Sequence, residues 1–188
     1  RVLTQFDLAA GKLTYLSADP THTEDVYIAS ADGTGEARLT LSNPQLEEIA
    51  LGQTEVVKWK AADGLPIEGL LVKPVGYEAG KRYPMILQVH GGPHSRYTAA
   101  LVRNAQIYAA NGYAVLMPNP RGSTGYGQKF TDEVSGDWGG RVYDDIMAVT
   151  DHVAAQPWAD PARFAAAGGS FGGYMVNWIA GNWSDRFD

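Results

Sequence analysis

The stretch RFAAAGGSFGGYM, residues 163–175, decides how this chain folds around one serine. An apolar run leads to Ser170, which stands between two pairs of glycines, and a helical pattern follows. The spacing Gly168-x-Ser170-x-Gly172 is typical of a nucleophile elbow, a sharp strand-to-helix turn that holds its serine in a strained backbone conformation. We therefore expect Ser170 to be a catalytic nucleophile, and a merely tight strand-to-helix turn is the alternative.

A second glycine motif, QVHGGPHS at residues 88–95, ends an apolar run that is typical of a buried strand. Glycines leave backbone N–H groups unobstructed, and such a loop can supply an oxyanion donor in hydrolases with a nucleophile elbow. We assign one donor to the Gly92 N–H, with Gly91 giving room, and the other to the Phe171 N–H. We expect His90 to shape the loop by hydrogen bonding. An ordinary strand-to-loop turn is the alternative for this motif.

The two histidines of this motif stand four residues apart, a spacing that suggests zinc when it occurs on a helix. Gly91, Gly92 and Pro93 lie between His90 and His94 and prevent that helix. We therefore expect no metal site.

A third loop, NPRGSTGYGQKF at residues 119–130, resembles a phosphate-binding loop only in its glycine spacing. Gln128 stands where a phosphate-binding loop requires lysine, so we expect no nucleotide and no other cofactor. Arg121 is a candidate contact for a substrate carbonyl or carboxylate. A surface or structural ion pair is the alternative role for Arg121.

Composition excludes several classes of protein. The 188 residues carry a formal net charge of -6, which disfavours nucleic-acid binding. They contain no cysteine and no apolar run near the roughly 20 residues of a membrane span, so we expect no membrane partner. The compartment stays open between cytoplasm and periplasm.

The chain changes its pattern near residue 52. Residues 1–52 read as short strands separated by turns, as in a sandwich or a propeller. Residues 53–188 begin with a hairpin at Asp63-Gly64 and then alternate strands and helices, which predicts an α/β unit with a mostly parallel sheet. We place the boundary at residues 52–55, and we interpret YMVNWIAG, which follows the elbow, as a buried helix.

The motifs HGGPHS, NPRGSTGYGQ, GDWGG and GGSFGGYM, in this order, resemble the prolyl oligopeptidase family of serine peptidases over about residues 55–188. The resemblance is to its acylaminoacyl-peptidase and dipeptidyl-peptidase-like branches. Histidine at position 90 favours the acylaminoacyl branch, because classical dipeptidyl peptidases have a tyrosine there.

This resemblance implies a fold and an activity. It implies that residues 1–52 end a β-propeller and that residues 53–188 form the N-terminal part of an α/β-hydrolase domain. It also implies short-peptide substrates and an acyl-enzyme on Ser170, with the Phe171 and Gly92 N–H groups as the oxyanion hole.

One requirement of such a site is not met within these 188 residues. In this fold the acid and the base follow the serine, in the order Ser, Asp, His. Only 18 residues follow Ser170; Asp185 and Asp188 come too early, and no histidine occurs among them. We expect the segment to be truncated before the triad Asp and His and to be inactive alone, with the missing C-terminal part as its partner.

Two other functions stay open at this point. An esterase-type α/β-hydrolase would share the elbow. A non-catalytic propeller or hydrolase-like binding protein would share the fold. The sequence also leaves homo-oligomer formation open.

Overall fold

A computed structural model gives the fold of residues 1–182 and of residue 187. These residues form two separate β-sheets. The first sheet is antiparallel and has the order β1-β2-β3-β4. Its strands are β1 Val2–Ala9, β2 Lys12–Ala18, β3 Asp25–Ser30 and β4 Ala37–Arg38. A short 3-10 helix, Pro44–Glu48, leads away from it.

The second sheet has five strands in the order β5-β6-β8-β7-β9 and carries four helices. Its strands are β5 Thr54–Lys60, β6 Pro66–Val72, β7 Tyr83–Val89, β8 Ala114–Asn119 and β9 Ala159–Gly168. The helices are α1 Arg103–Ala110, α2 Gln128–Asp132, α3 Arg141–Ala154 and α4 Phe171–Asn182. None of the described helices is long and apolar enough to cross a membrane.

This second sheet is mixed, so the prediction of a mostly parallel sheet was wrong for the described residues. β7 pairs in parallel with β8 and β9, because α1 and α3 return the chain to the same end of the sheet. β5 and β6 pair antiparallel, because the predicted turn at Asp63-Gly64 joins them directly, and β6 is also antiparallel to β8. The carboxyl ends of the parallel strands β7 and β9 therefore lie side by side at the same end of the sheet.

Helices cover both faces of the sheet. On one face α3 and α4 pack on a large core that includes Met85, Leu116, Ile146 and Met175. On the other face α1 packs on a smaller core, and Val115 of β8 belongs to it. Neighbouring residues of β8 thus point to opposite faces, and all six are buried, as its continuous apolar run predicts.

Helix α4 is less buried than the sequence indicates. Its inner face, with Met175 and Ile179, lies in the core, but Tyr174 and Trp178 are 37% and 39% exposed. Their rings stack on each other, with centroids 6.2 Å apart. The helix is apolar on most sides, yet only one side contacts the sheet.

The chain enters the second unit through a buried pair of hydrogen bonds. The Gly52 N–H donates to the Gln106 side-chain oxygen at 2.7 Å, and the Gln106 amide donates to the Gly52 carbonyl at 3.1 Å. Both residues are buried. One side chain of α1 therefore fixes the segment that precedes β5.

Gln106→Ala should lower the free energy of unfolding by about 2 kcal/mol, because it leaves the N–H and the carbonyl of Gly52 buried without partners. Chemical denaturation of the protein measures the change. The exposed Gln53 supplies the control, since Gln53→Ala should leave stability within about 0.5 kcal/mol. Equal effects of the two substitutions would contradict the role given to Gln106.

Candidate active site

Ser170 lies at the turn between β9 and α4, with its backbone in the left-handed region. Its φ is +56°, a value that residues with a side chain rarely adopt. The turn is closed by a hydrogen bond from the Gly172 N–H to the Gly169 carbonyl at 2.9 Å. The Tyr174 N–H donates to the Ser170 carbonyl at 3.0 Å, so the turn leads directly into helix α4. This is the strained strand-to-helix turn that the sequence predicts, and the structure shows that Ser170 is exposed there.

The glycines on either side are required by close backbone contacts. A Cβ at Gly168 would lie 2.5 Å from the carbonyl carbon of Gly172. A Cβ at Gly172 would collide with the Val89 carbonyl oxygen of β7. Helix α4 can therefore begin this close to β7 and β9 only because both positions lack a side chain.

The loop after β7 runs past the serine. A Cβ placed on Gly91 would lie 3.5 Å from the Ser170 Cβ and 4.0 Å from its Oγ. Gly92 follows with φ +119°, a conformation that favours glycine. The structure thus brings the two glycine motifs together at the carboxyl ends of β7 and β9.

His90 is held inside this loop and is only 7% exposed. Its Nδ1 lies 2.6 Å from the Gly91 carbonyl oxygen, and its Nε2 lies 3.0 Å from the Ser123 Oγ. Burial lowers the pKa of His90, and the hydrogen bond to Gly91 partly opposes that shift. The ring hydrogen-bonds both to its own loop and to the loop after β8.

Arg121 lies in a buried ion-pair cluster and not on a surface that faces a substrate. It is 3% exposed. Its Nε and NH2 donate to the two carboxylate oxygens of Asp145, each at 2.9 Å. NH1 and NH2 also donate to Asp63, at 2.9 and 3.1 Å, and NH1 lies 3.4 Å from Glu133. Of the two roles considered for Arg121, the structure shows the structural ion pair, because three carboxylates already occupy the guanidinium.

The cluster perturbs its members in opposite directions. Hydrogen bonds from Arg121 lower the pKa of Asp63 to about 2. Burial raises the pKa of Asp145, although the Arg121 hydrogen bonds oppose that shift. The carboxylates raise the pKa of Arg121, which stays charged. The backbone N–H of Arg121 also donates to Asp145, so the cluster fixes the loop as well as the side chain.

An aromatic row lies beside the elbow. The Trp138 ring meets the rings of Phe171 and Tyr174 edge to face, with centroids 5.4 and 5.7 Å away. Trp178 continues the row, and a Cβ on Gly139 would lie 2.8 Å from its ring. Trp138, from the GDWGG motif, therefore packs on the first turn of α4.

Sequence reasoning missed Ser123 and the partners of Arg121. Ser123 is fully buried and contacts His90. Asp63 and Asp145 are 58 and 24 positions from Arg121, so no local pattern signals their pairing.

The structure gives Ser170 no hydrogen bond to a histidine within residues 1–182 and 187. His90 and His94 face loop atoms, and the Nδ1 of His94 lies 3.1 Å from the Gly122 carbonyl oxygen. Asp185 and Asp188 lie outside the described residues. In the same described part of the chain, no group of three side chains is arranged to hold a metal ion.

Known proteins are similar to this chain in sequence and in fold. A model of the prolyl oligopeptidase family matches residues 99–188. An uncharacterized peptidase of Bacillus subtilis, YuxL, is 43% identical over 157 residues, which are 82% of this chain and 24% of that protein. Dipeptidyl-peptidase 5 of Trichophyton schoenleinii is 34% identical over 179 residues, which are 93% of this chain and 25% of that protein.

A solved structure is similar to this chain in fold. The acylaminoacyl peptidase of Pyrococcus horikoshii matches with a TM-score of 0.88 and 30% identity, over 98% of this chain and 29% of that one. The chain spans about a quarter of the length of the curated relatives it matches.

Gly172→Ala should lower the free energy of unfolding by about 1–3 kcal/mol. The new methyl group would collide with the Val89 carbonyl, so the backbone would have to shift. Gly181→Ala, in the same helix, is the matched control, since a Cβ there meets no atom of residues 1–182 or 187 within 4 Å. Thermal unfolding compares the two variants. A Gly172→Ala protein as stable as the control would contradict the close approach of α4 to β7.

Asp63→Asn should destabilise the protein at neutral pH and much less in acid. Because the pKa of Asp63 is lowered to about 2, its carboxylate contributes stability above its unfolded pKa near 3.8. That contribution is lost as the pH falls through about 2. Denaturation at pH 7, 4 and 2 measures the difference between wild type and variant, which should shrink toward zero at pH 2. The exposed Asp7 gives the control, Asp7→Asn, and a difference that did not change with pH would contradict the ion pair.

Proposed function

The chain belongs to the prolyl oligopeptidase family, and on that premise we propose that the complete protein is a serine peptidase that cleaves short peptides. One observation carries the proposal. Ser170 stands exposed, with φ +56°, directly beside the glycine loop that follows β7. A turn under this strain persists only where the surrounding structure holds it, as in active sites.

The reaction is acyl transfer. The Ser170 Oγ attacks the carbonyl carbon of the substrate, its proton passes to a general base, and the carbonyl oxygen becomes an oxyanion. We assign the stabilisation of this oxyanion to the Phe171 N–H, at the positive end of α4, and to the Gly92 N–H. The proton then goes to the leaving amine, and water releases the acyl group from the serine.

We place the general base and its acid partner outside the described residues. The sequence supports this placement, because all four histidines of the chain precede Ser170. The sheet supports it too. Within residues 1–182 and 187, β9 pairs only with β7, and Ala165, Ala166 and Ala167 stay half-buried on that edge. A free edge of this kind is normally paired or covered in a complete domain.

We assign the first sheet to the last part of a β-propeller that precedes the hydrolase domain. Four antiparallel strands are the unit of a propeller blade. The outer strand β1 exposes Leu3, Phe6 and Leu8, an apolar row that a neighbouring blade would bury. A propeller beside the active site would restrict access to short peptides, as the family resemblance implies.

The histidine at position 90 favours the acylaminoacyl type of specificity over the classical dipeptidyl type. Its ring points into the loop, toward Gly91 and Ser123, and is buried. A histidine has no hydroxyl to offer an oxyanion, and both nitrogens of this ring face loop atoms, so we assign the second donor to the backbone.

Ser170→Ala in the complete protein should abolish hydrolysis of short peptide amides, with a loss of at least about 10⁴-fold in kcat. The fold should be retained, because only one exposed hydroxyl is removed. A fluorophosphonate probe should label the wild type at Ser170 and leave the variant unlabelled.

The exposed Ser135 provides the control, and Ser135→Ala should keep full activity and labelling. Turnover by Ser170→Ala at the wild-type rate would overturn the mechanism. Absence of labelling in the wild type would favour a binding protein, and cleavage of esters without peptides would favour an esterase.

A further inference from the structure

Arg96, in the loop after β7, carries a charge that no acidic side chain pairs with in residues 1–182 and 187. It is exposed, and its guanidinium forms no side-chain hydrogen bond within those residues. Other arginines differ, because Arg121, Arg141 and Arg163 each pair with a carboxylate. The five N–H donors of the Arg96 guanidinium therefore stay available for a ligand.

The backbone on both sides of Arg96 is fixed by hydrogen bonds. The Thr124 N–H donates to the Ser95 carbonyl at 3.0 Å. The Tyr97 N–H donates to the Asn119 side-chain oxygen at 2.7 Å, and the Asn119 amide donates back to the Tyr97 carbonyl at 2.9 Å. The side chain of Arg96 therefore starts from a defined position in the loop.

The Arg96 side chain lies across the loop after β8. A Cβ on Gly125 would lie 2.8 Å from the Arg96 Cζ and 3.3 Å from its Cδ, so the missing side chain makes room for the guanidinium. Gly125 also has φ +91°, a conformation that favours glycine. This contact restricts a long side chain before any ligand is present, which lowers the entropy lost on binding.

Arg96 lines a cavity of about 160 Å³ together with Glu68, Asn119 and Tyr126. Glu68 is the acidic residue of this lining. Its carboxylate accepts a hydrogen bond from the Tyr126 hydroxyl at 3.1 Å and lies 3.8 Å from the Lys58 ammonium. Because Lys58 balances the charge of Glu68, the charge of Arg96 remains at the cavity.

The cavity lies at the same end of the sheet as Ser170, beside the loops that follow β7 and β8. Arg96 follows Gly92 by four residues, so their backbones are at most about 14 Å apart. In the proposed reaction the scissile carbonyl binds at Gly92, and an extended peptide advances about 3.3 Å per residue. The end of a short peptide is therefore within reach of the Arg96 side chain.

We propose that Arg96 binds the C-terminal carboxylate of the peptide and so selects short substrates with a free C-terminus. A guanidinium forms two parallel hydrogen bonds with a carboxylate, and such charge-assisted pairs are strong and geometrically specific. The C-terminal carboxylate belongs to the part of the substrate that leaves as the amine. Arg96 therefore contacts the leaving group and not the acyl group. The proposal rests on the proposed peptidase reaction at Ser170.

The first test compares two substrates of the complete protein, a short peptide with a free C-terminal carboxylate and the same peptide as its C-terminal amide. The wild type should cleave the carboxylate form with a kcat/KM about 10-fold higher. Arg96→Ala should lower this ratio to about 1, because the loss falls on the carboxylate form alone. Equal kcat/KM values for the two substrates in the wild type would overturn the proposal.

Two further variants serve as controls. Arg103, at the start of α1, is also exposed and has no ion pair within the described residues, so Arg103→Ala should keep the wild-type ratio. Arg96→Lys keeps the charge but loses the parallel hydrogen bonds, so its ratio should fall to about 2 to 5. A wild-type ratio in Arg96→Ala would contradict the proposal. An equal loss for both substrates would contradict it too, because Arg96 would then bind another part of the protein.

A salt titration of the wild type gives a second measurement. Salt screens an exposed ion pair, so the preference for the carboxylate form should shrink between about 0.05 and 0.5 M salt. An unchanged preference over this range would contradict the ion pair. The fluorophosphonate probe separates the two proposals. Labelling of Ser170 without a carboxylate preference would overturn the role of Arg96 alone, whereas absence of labelling would overturn the proposed function and this role with it.

Discussion

The site depends on the close approach of helix α4 to strands β7 and β9. Backbone atoms of Gly172 meet the Gly168 position on one side and the Val89 carbonyl on the other, so neither glycine position has room for a methyl group. This compression leaves Ser170 with φ +56° at the point where strand becomes helix. The cost of that conformation is of order 1–3 kcal/mol, and the packing of α4 on the sheet has to offset it. The same packing brings the glycine loop after β7 beside the serine.

A second constraint acts from the side of the loop after β8. Arg121 is buried with Asp145, and such a pair stabilises the structure only when hydrogen bonds satisfy both partners. Here the guanidinium and the backbone N–H of Arg121 both bind Asp145, and Asp63 binds the guanidinium from the β5–β6 turn. The cluster therefore joins three segments that are distant in sequence. Ser123, two positions after Arg121, lies 3.0 Å from the ring of His90, which belongs to the loop beside Ser170.

Local chemistry made the elbow predictable, and non-local pairing limited the rest. The glycines that the elbow requires lie with Ser170 in five consecutive residues, 168–172, so a local motif predicts the turn. The hairpin at Asp63-Gly64 is likewise predicted from two adjacent residues. The ion-pair partners of Arg121 could not be predicted in this way, because a pairing across 58 residues leaves no periodic signal in the sequence. The hairpin predicts the antiparallel pair of β5 and β6, but no local pattern predicts that β6 pairs antiparallel with β8. Helix α4 is apolar on most sides, so the pattern could not show that Tyr174 and Trp178 face outward in an aromatic row.

The most direct test of the account is a crystal structure of the complete protein with a peptide phosphonate bound covalently to Ser170. The phosphonyl oxygen reproduces the charge and position of the oxyanion in the acyl-transfer intermediate. The account predicts that this oxygen lies about 2.7–3.1 Å from both the Phe171 and the Gly92 nitrogen atoms, with the Gly91 carbonyl still held by His90. A phosphonyl oxygen bound by other groups, with the Gly92 N–H turned away from it, would contradict the account.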